Sequence, residues 1–175
     1  MSWGGLRSGW VRYNLSMSQA VTYTGDQLTN ALYTLGVRFV LGRQSQGGSL
    51  HTQPARLIAA LAESNEARLR LSLIPLFLEH PEFAAHVRAV AGQLGPSARL
   101  TLQCYYSAAV WFAQKYQFQD RALPDQFSRE LGLVPGHDAD ENLRTLAKRH
   151  EKLSGALVNW LGTYQHAAQT WLKNK

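Results

Sequence analysis

The sequence predicts an all-α protein, a single-domain bundle of about six or seven helices around a buried central helix. The central element is expected at residues 96–118, PSARLTLQCYYSAAVWFAQKYQF, which have no charged side chain between Arg99 and Lys115. A helix that is apolar on most of its sides must be covered on most of its sides. Elsewhere apolar residues recur at intervals of three and four, the spacing of one helical face. No apolar run has the roughly 18 residues that a membrane-spanning helix needs.

Composition indicates a soluble globular chain. Its 175 residues suit one domain, and 45% hydrophobic with 17% charged residues are ordinary values for this class. Its one cysteine, Cys104, cannot form an intramolecular disulfide, so we expect a cytoplasmic location. Because no apolar run is long enough to span a membrane, we expect no membrane association. We expect Cys104 to be a small buried side chain and not a nucleophile.

Residues 1–16 contain no acidic side chain, lack helical periodicity and precede Met17. They also lack the apolar core of a secretory signal. We therefore predict a loosely ordered tail over residues 1–16 and a single helical domain over residues 17–175.

The first helix is predicted over residues 25–35. Thr24 and Gln27 have the spacing of a capping box, and Gly36 is a typical stop signal. Residues 37–41 alternate between apolar and polar character and fit either a short strand or an extension of this helix. The glycine-rich residues 42–49 are the best candidate for internal disorder.

Proline marks the next three helices. Pro54 suits the first turn of a second helix. Residues 66–80 read as a third helix, which Pro75 should kink or split near residues 72–74 because proline removes a backbone donor. Pro81 opens a fourth helix, which precedes the central one.

Beyond the central helix, Phe127 and Leu131 predict a short helix, and acidic residues from Asp138 onward predict the start of a long one. We expect a break in this long helix at Ser154 and Gly155, if one exists. Its apolar stripe, expected to be core or interface, consists of Leu143, Leu146, His150, Leu153, Leu157, Trp160, Leu161, Tyr164, Ala168 and Trp171.

We predict no metal and no cofactor. Glu82 and His86 lie four residues apart and could offer two ligands, but a di-metal bundle needs matching ligands on other helices, and no second pair is present. The chain has no serine nucleophile elbow, zinc-protease motif or paired-cysteine motif.

The formal charge of +6 allows nucleic acid as a partner. Candidate contacts are Arg68, Arg70, Lys148, Arg149 and Lys152. The aromatic residues that would stack on bases fall in the predicted central helix, so we expect them in the core, which disfavours this alternative.

Residues 144–150, RTLAKRH, resemble the arginine-and-histidine motif of HEPN-type ribonucleases, which are all-helical and cut RNA at a dimer interface. The resemblance implies a catalytic pair in which His150 transfers a proton and Arg144 stabilises charge on the phosphate. Thr145 departs from the family's Asn, Asp or His. Six residues also separate the pair by roughly 120° around a straight helix.

Three longer stretches are similar to a family of small bacterial helical proteins whose genes stand beside those of minimal nucleotidyltransferases. They are ARLRLSLIPLFLEHPEF from Ala67, LPDQFSRELGL from Leu123 and NWLGTYQHAAQTWL from Asn159. The resemblance implies a non-enzymatic partner protein. With the apolar final helix, it leads us to expect a protein partner or a homo-oligomer, docked through Trp160, Tyr164 and an exposed Trp171.

Overall fold

The described part of the chain covers residues 22–39, 48–118 and 122–175 of a computed structural model, and it contains helices but no β-strand. The predicted all-α class is therefore confirmed. The α-helices are α1 (Gly25–Thr34), α2 (Pro54–Glu63), α3 (Ala67–Leu71), α4 (Leu73–Glu79), α5 (Ala84–Gln93), α6 (Pro96–Lys115), α7 (Ser128–Leu131), α8 (Ala139–Ser154) and α9 (Trp160–Lys173). The predicted tail at residues 1–16 and most of the predicted loop at 42–49 lie outside the described residues.

Helix α6 is the buried central helix. Residues 102–113 are all buried, which is the consequence expected of a charge-free segment with apolar groups on every side. Helices α4 and α8 pack most extensively against it. Residues 73–78 of α4 are also buried without interruption. Cys104 is fully buried as predicted, and burial raises the pKa of its thiol to about 12, so the thiol is protonated near neutral pH.

Both ends of α1 have the capping residues that the sequence predicts. Thr24 Oγ1 accepts a hydrogen bond from the Gln27 amide, and the Gln27 side chain accepts one from the Thr24 amide. Gly36 adopts a left-handed conformation at φ 77°, which closes the helix. Residues 37–39 form neither the strand nor the helical extension that the alternation allowed, since they turn to bury Val37. Residues 40 and 41 lie outside the described residues.

Two predicted helices are divided, so the described ranges hold more helices than the predicted six or seven. Ser72 separates α3 from α4, where Pro75 lacks the amide that a continuous helix would use. Gly155 ends α8 at φ 67°, at the predicted break, and Asn159 caps α9 through a hydrogen bond from the Gly162 amide. These two helices therefore lie at an angle that a single long helix would not allow.

The expected exposure of Trp171 is wrong. Its side chain is only 4% exposed, its indole Nε1 donates to Glu79 at 2.9 Å, and its ring meets Phe118 edge-to-face at 5.5 Å. The turn at Gly155 redirects α9 against α4 and α6, and this places the ring inside the bundle.

Two Gly→Ala substitutions should show how backbone conformation, without a change in packing, affects the free energy of unfolding. Gly155→Ala should lower the free energy of unfolding by roughly 1–2 kcal/mol, because a left-handed conformation is costly for a residue with a Cβ. Gly92→Ala, in α5, should raise it by about 0.5–1 kcal/mol through helix propensity. An added Cβ meets no atom within 4 Å at either position, so packing does not enter the comparison. Urea-induced unfolding gives the free energies of unfolding. Equal changes in the two variants would contradict a left-handed conformation at Gly155.

Candidate functional site

A cleft of about 880 Å³ opens where α6 begins and α8 ends. We call it the His150 cleft. Its wall is formed by the end of α2 with Arg70 of α3, by residues 95–105 of α6 and the turn before it, and by the segment from His150 to Trp160. Three turns of the central helix thus form one side of an open space.

The turn at Gly155 builds the inner end of this cleft. It brings Trp160, the first residue of α9, back onto His150 in α8, with ring centroids 3.6 Å apart and planes inclined by 23°. Tyr105 of α6 meets the same imidazole edge-to-face at 6.0 Å. His150 is held by aromatic rings from two other helices and is only 3% exposed.

The tautomer of His150 follows from its hydrogen bond to Tyr164. His150 Nδ1 and Tyr164 Oη are 2.6 Å apart, and Tyr164 is fully buried with no other hydrogen-bond acceptor among the described residues. If Nδ1 carried the proton, the Tyr164 hydroxyl hydrogen would be buried without a partner, which costs free energy. Tyr164 therefore donates to Nδ1, and the remaining proton of the neutral imidazole lies on Nε2.

Two buried side chains direct unpaired polar atoms toward the cleft. Neither His150 Nε2 nor the hydroxyl of Tyr105 makes a hydrogen bond within the described part of the chain. The polar side-chain atoms that are sealed from solvent and unpaired there are Ser107 Oγ, Trp111 Nε1, Ser128 Oγ and Trp160 Nε1. His150 Nε2 and Tyr105 Oη are not among them, so both reach the solvent of the cleft they line.

A cationic side chain, Arg70, and the N-terminus of α6 face the His150 cleft. Arg70 is anchored by its Nη1, which donates to the Ser64 carbonyl at 2.6 Å. Burial raises the pKa of Tyr105 to about 12, and the nearby Arg70 guanidinium acts in the opposite direction. Helix α6 begins at the cleft without a side-chain cap, and the amides of Ser97 and Ala98 have no acceptor among the described residues. The positive end of its dipole therefore faces the cleft.

An exposed apolar rim borders the cleft at the turn between α8 and α9. Leu153, which lines the cleft, is 42% exposed, and Leu157 and Val158 are 92% and 41% exposed. Periodicity placed Leu153 and Leu157 on the stripe of a continuous helix. The break at Gly155 removes them from the core, so they remain as apolar surface beside the cleft.

The structure does not bring Arg144 and His150 together. Arg144 lies on the exposed face of α8, where its Nη1 is 3.2 Å from Glu141 Oε2, whereas His150 faces inward. No contact between the two is present in the described ranges. The cation that lines the cleft with His150 is Arg70, which sequence spacing could not identify because it comes from a different helix.

The other predicted contact residues are distributed over different environments. Arg68, Lys148 and Lys152 are exposed, and Arg149 is tied to the chain because its Nε donates to the Leu131 carbonyl at 2.6 Å. The aromatic residues of α6 are buried, as predicted. Of the predicted docking residues, Tyr164 and Trp171 are buried, and only Trp160 lies partly exposed at the cleft.

The described residues form neither a metal site nor a membrane span. No group of three or more His, Cys, Asp or Glu side chains there is arranged to hold a metal ion. None of the helices in these ranges has both the length and the apolar character needed to cross a membrane.

Comparison with known proteins finds no matching family model, no matching curated protein and no matching solved structure. The proposed relationship to proteins encoded beside minimal nucleotidyltransferases therefore depends on the three sequence stretches alone.

The burial of His150 should make the free energy of unfolding depend on pH. Burial lowers the pKa of His150 from 6.5 to about 4, so between these values the unfolded chain binds a proton that the folded chain does not. The free energy of unfolding should fall as pH drops through this window, by at most about 1.4 kcal/mol per pH unit, and this contribution should be constant above it.

Urea unfolding at several pH values between about 7 and about 4.5 measures this effect. His150→Gln should remove that part of the slope, while His137→Gln, at an exposed position, should retain it. If NMR showed the imidazole of His150 titrating near 6.5, the lowered pKa of this side chain would be contradicted.

Proposed function

We propose that this protein is a non-enzymatic docking partner, and that the His150 cleft with its apolar rim receives a segment of another protein. The observation that carries the proposal is the pairing of an open, aromatic-lined cleft with a nearly fully exposed leucine, Leu157, at its edge. Exposed apolar groups beside a concave site are typical of protein-interaction surfaces.

The chemistry of His150 also supports docking over catalysis. A buried imidazole with a pKa of about 4 is neutral at neutral pH and a weak base, and its Nε2 already carries the proton. General base catalysis from the cleft would require the other tautomer, which leaves the Tyr164 hydroxyl unpaired. We therefore favour a role in which Nε2 donates a hydrogen bond to a bound group.

The resemblance of the three sequence stretches makes a minimal nucleotidyltransferase in bacterial cytoplasm the first partner to test. The product of the gene next to this chain should be co-expressed and purified with it. We expect a stable complex, with the cleft rim at its interface.

Substitutions at the rim test where the partner docks. The double variant Leu157→Asp, Val158→Asp should weaken the complex by at least about tenfold, because truncation or charging of central apolar contacts typically costs more than about 1 kcal/mol. Val134→Asp is the matched control, since Val134 is 93% exposed but lies in the turn before α8. Isothermal titration calorimetry gives the affinities, and thermal melting confirms that each variant is folded.

The same variants should be examined for self-association by light scattering. Equal losses from the rim variant and the Val134→Asp control would argue against the rim as the interface. A wild-type dimer that the rim variant alone dissociates would show that the occupant is a second copy of this chain, against a heterologous partner.

An RNA assay separates docking from the ribonuclease alternative. The wild-type chain should leave single-stranded RNA uncut, because Arg144 and His150 do not share a site. RNA binding through the exposed Lys148 and Lys152 should be weak and strongly salt-dependent. Metal-independent cleavage that His150→Gln abolishes in a folded protein would contradict the docking function and favour an HEPN-like enzyme.

A further inference from the structure

We infer that the segment entering the His150 cleft presents a carboxylate to it, next to an apolar side chain that packs on the rim. This inference rests on the docking function proposed above and specifies the chemistry of the partner. It is carried by the hydrogen-bonding groups that face the cleft.

Of the side chains that line the cleft, Glu63 only accepts and the serine, threonine and asparagine groups can do both, whereas three further groups can donate. His150 offers Nε2–H, because Nδ1 is used by Tyr164, and Arg70 offers the guanidinium donors that Ser64 does not occupy. The Tyr105 hydroxyl can donate as well. A ligand group that meets such a set must be an acceptor, and an ionised carboxylate accepts only.

The two side chains that offer these donors, His150 and Tyr105, are deeply buried. His150 is 3% exposed and Tyr105 is 5% exposed, yet each directs an unpaired polar atom to the cleft. Polar atoms of side chains this deeply buried are normally hydrogen-bonded within the protein. The Tyr105 hydroxyl makes no internal hydrogen bond among the described residues and reaches the solvent of the cleft, so it is available to a bound group.

Charge favours a carboxylate over a phosphate. Among the described residues, Arg70 is the cation that lines the cleft, and Glu63 is the acid that lines it. The uncapped start of α6 adds a partial positive charge. The guanidinium can bind a carboxylate through two parallel hydrogen bonds, and the charge of Glu63 repels a monoanion less than a dianion. A phosphate monoester, which carries roughly −1.5 to −2 charges, would meet too little positive charge beside Glu63.

The apolar rim would contact the second part of the ligand, which is an apolar side chain. Leu153 lines the cleft, and Leu157 and Val158 continue its apolar surface outward. A carboxylate held inside by Tyr105 and His150 would place a neighbouring apolar side chain against these residues. An apolar C-terminal residue of the partner has this chemistry, because its carboxylate and its side chain are attached to the same Cα.

A pair of small probes tests the inference on the full chain. N-acetylleucine carries a carboxylate beside an isobutyl group, and N-acetylleucinamide has the same shape without the charge. NMR titration should show saturable shifts of the Tyr105 and His150 side-chain signals with the acid, and at least about tenfold weaker binding of the amide. Inorganic phosphate at equal ionic strength should bind more weakly than the acid.

Three variants locate the bound group. Tyr105→Phe should weaken binding of the acid by roughly 3- to 10-fold with an unchanged melting temperature, because the lost hydroxyl has no hydrogen bond to another described residue. Arg70→Gln should weaken it by about tenfold or more. Lys148→Gln removes an exposed cation of α8 that does not line the cleft and should leave the affinity unchanged.

Equal binding of acid and amide, or an affinity that Tyr105→Phe does not change, would overturn the inference. Tighter, Tyr105-dependent binding of phosphate would replace the carboxylate with a phosphate group. If the partner complex depends on the rim but the acid does not bind, docking stands and the carboxylate assignment is wrong. If no partner binds while the acid does, the docking function fails and the cleft remains a carboxylate site.

Discussion

The fold depends on the enclosure of α6. Twelve consecutive residues of this helix, 102–113, are buried, so it must be covered on all sides over more than three turns. A helix tolerates such a position because its backbone bonds are internal, and two of its buried polar side chains find partners within the protein. Tyr106 Oη donates to the Pro124 carbonyl at 2.8 Å, and Gln103 Nε2 donates to Glu130 Oε2 at 2.8 Å. These bonds also fix the connection between α6 and α7.

The His150 cleft lies where this enclosure ends. The first turns of α6, up to residue 101, are partly or largely exposed, and Tyr105 lies in the first turn of the covered part. The break at Gly155 has two effects at this boundary. It stacks Trp160 on His150, and it leaves Leu153 and Leu157 outside the core. One left-handed glycine therefore determines both the depth of the cleft and its apolar rim.

His150 illustrates how burial and hydrogen bonding together set the character of a site. Desolvation keeps the imidazole neutral, and the Tyr164 hydroxyl selects the tautomer with the proton on Nε2. The same histidine on an exposed helix would be partly protonated near neutral pH and could accept or donate at either nitrogen. In this protein it becomes a neutral donor of fixed direction, which suits recognition of an acceptor group and not proton transfer.

The sequence by itself determined the helical class, the burial of α6 and the positions where helices begin, end or break. These features follow from local signals, since the Thr24 capping box, Pro75 and Gly155 act within one or two turns of the chain. Tertiary structure alone decided that Trp171 is buried, that Arg70 and not Arg144 lines the cleft with His150, and that Leu157 is exposed. Those outcomes depend on the angle between α8 and α9 and on contacts between helices far apart in sequence. Periodicity cannot predict them, because it describes which face of a helix is apolar and not which surface will cover it.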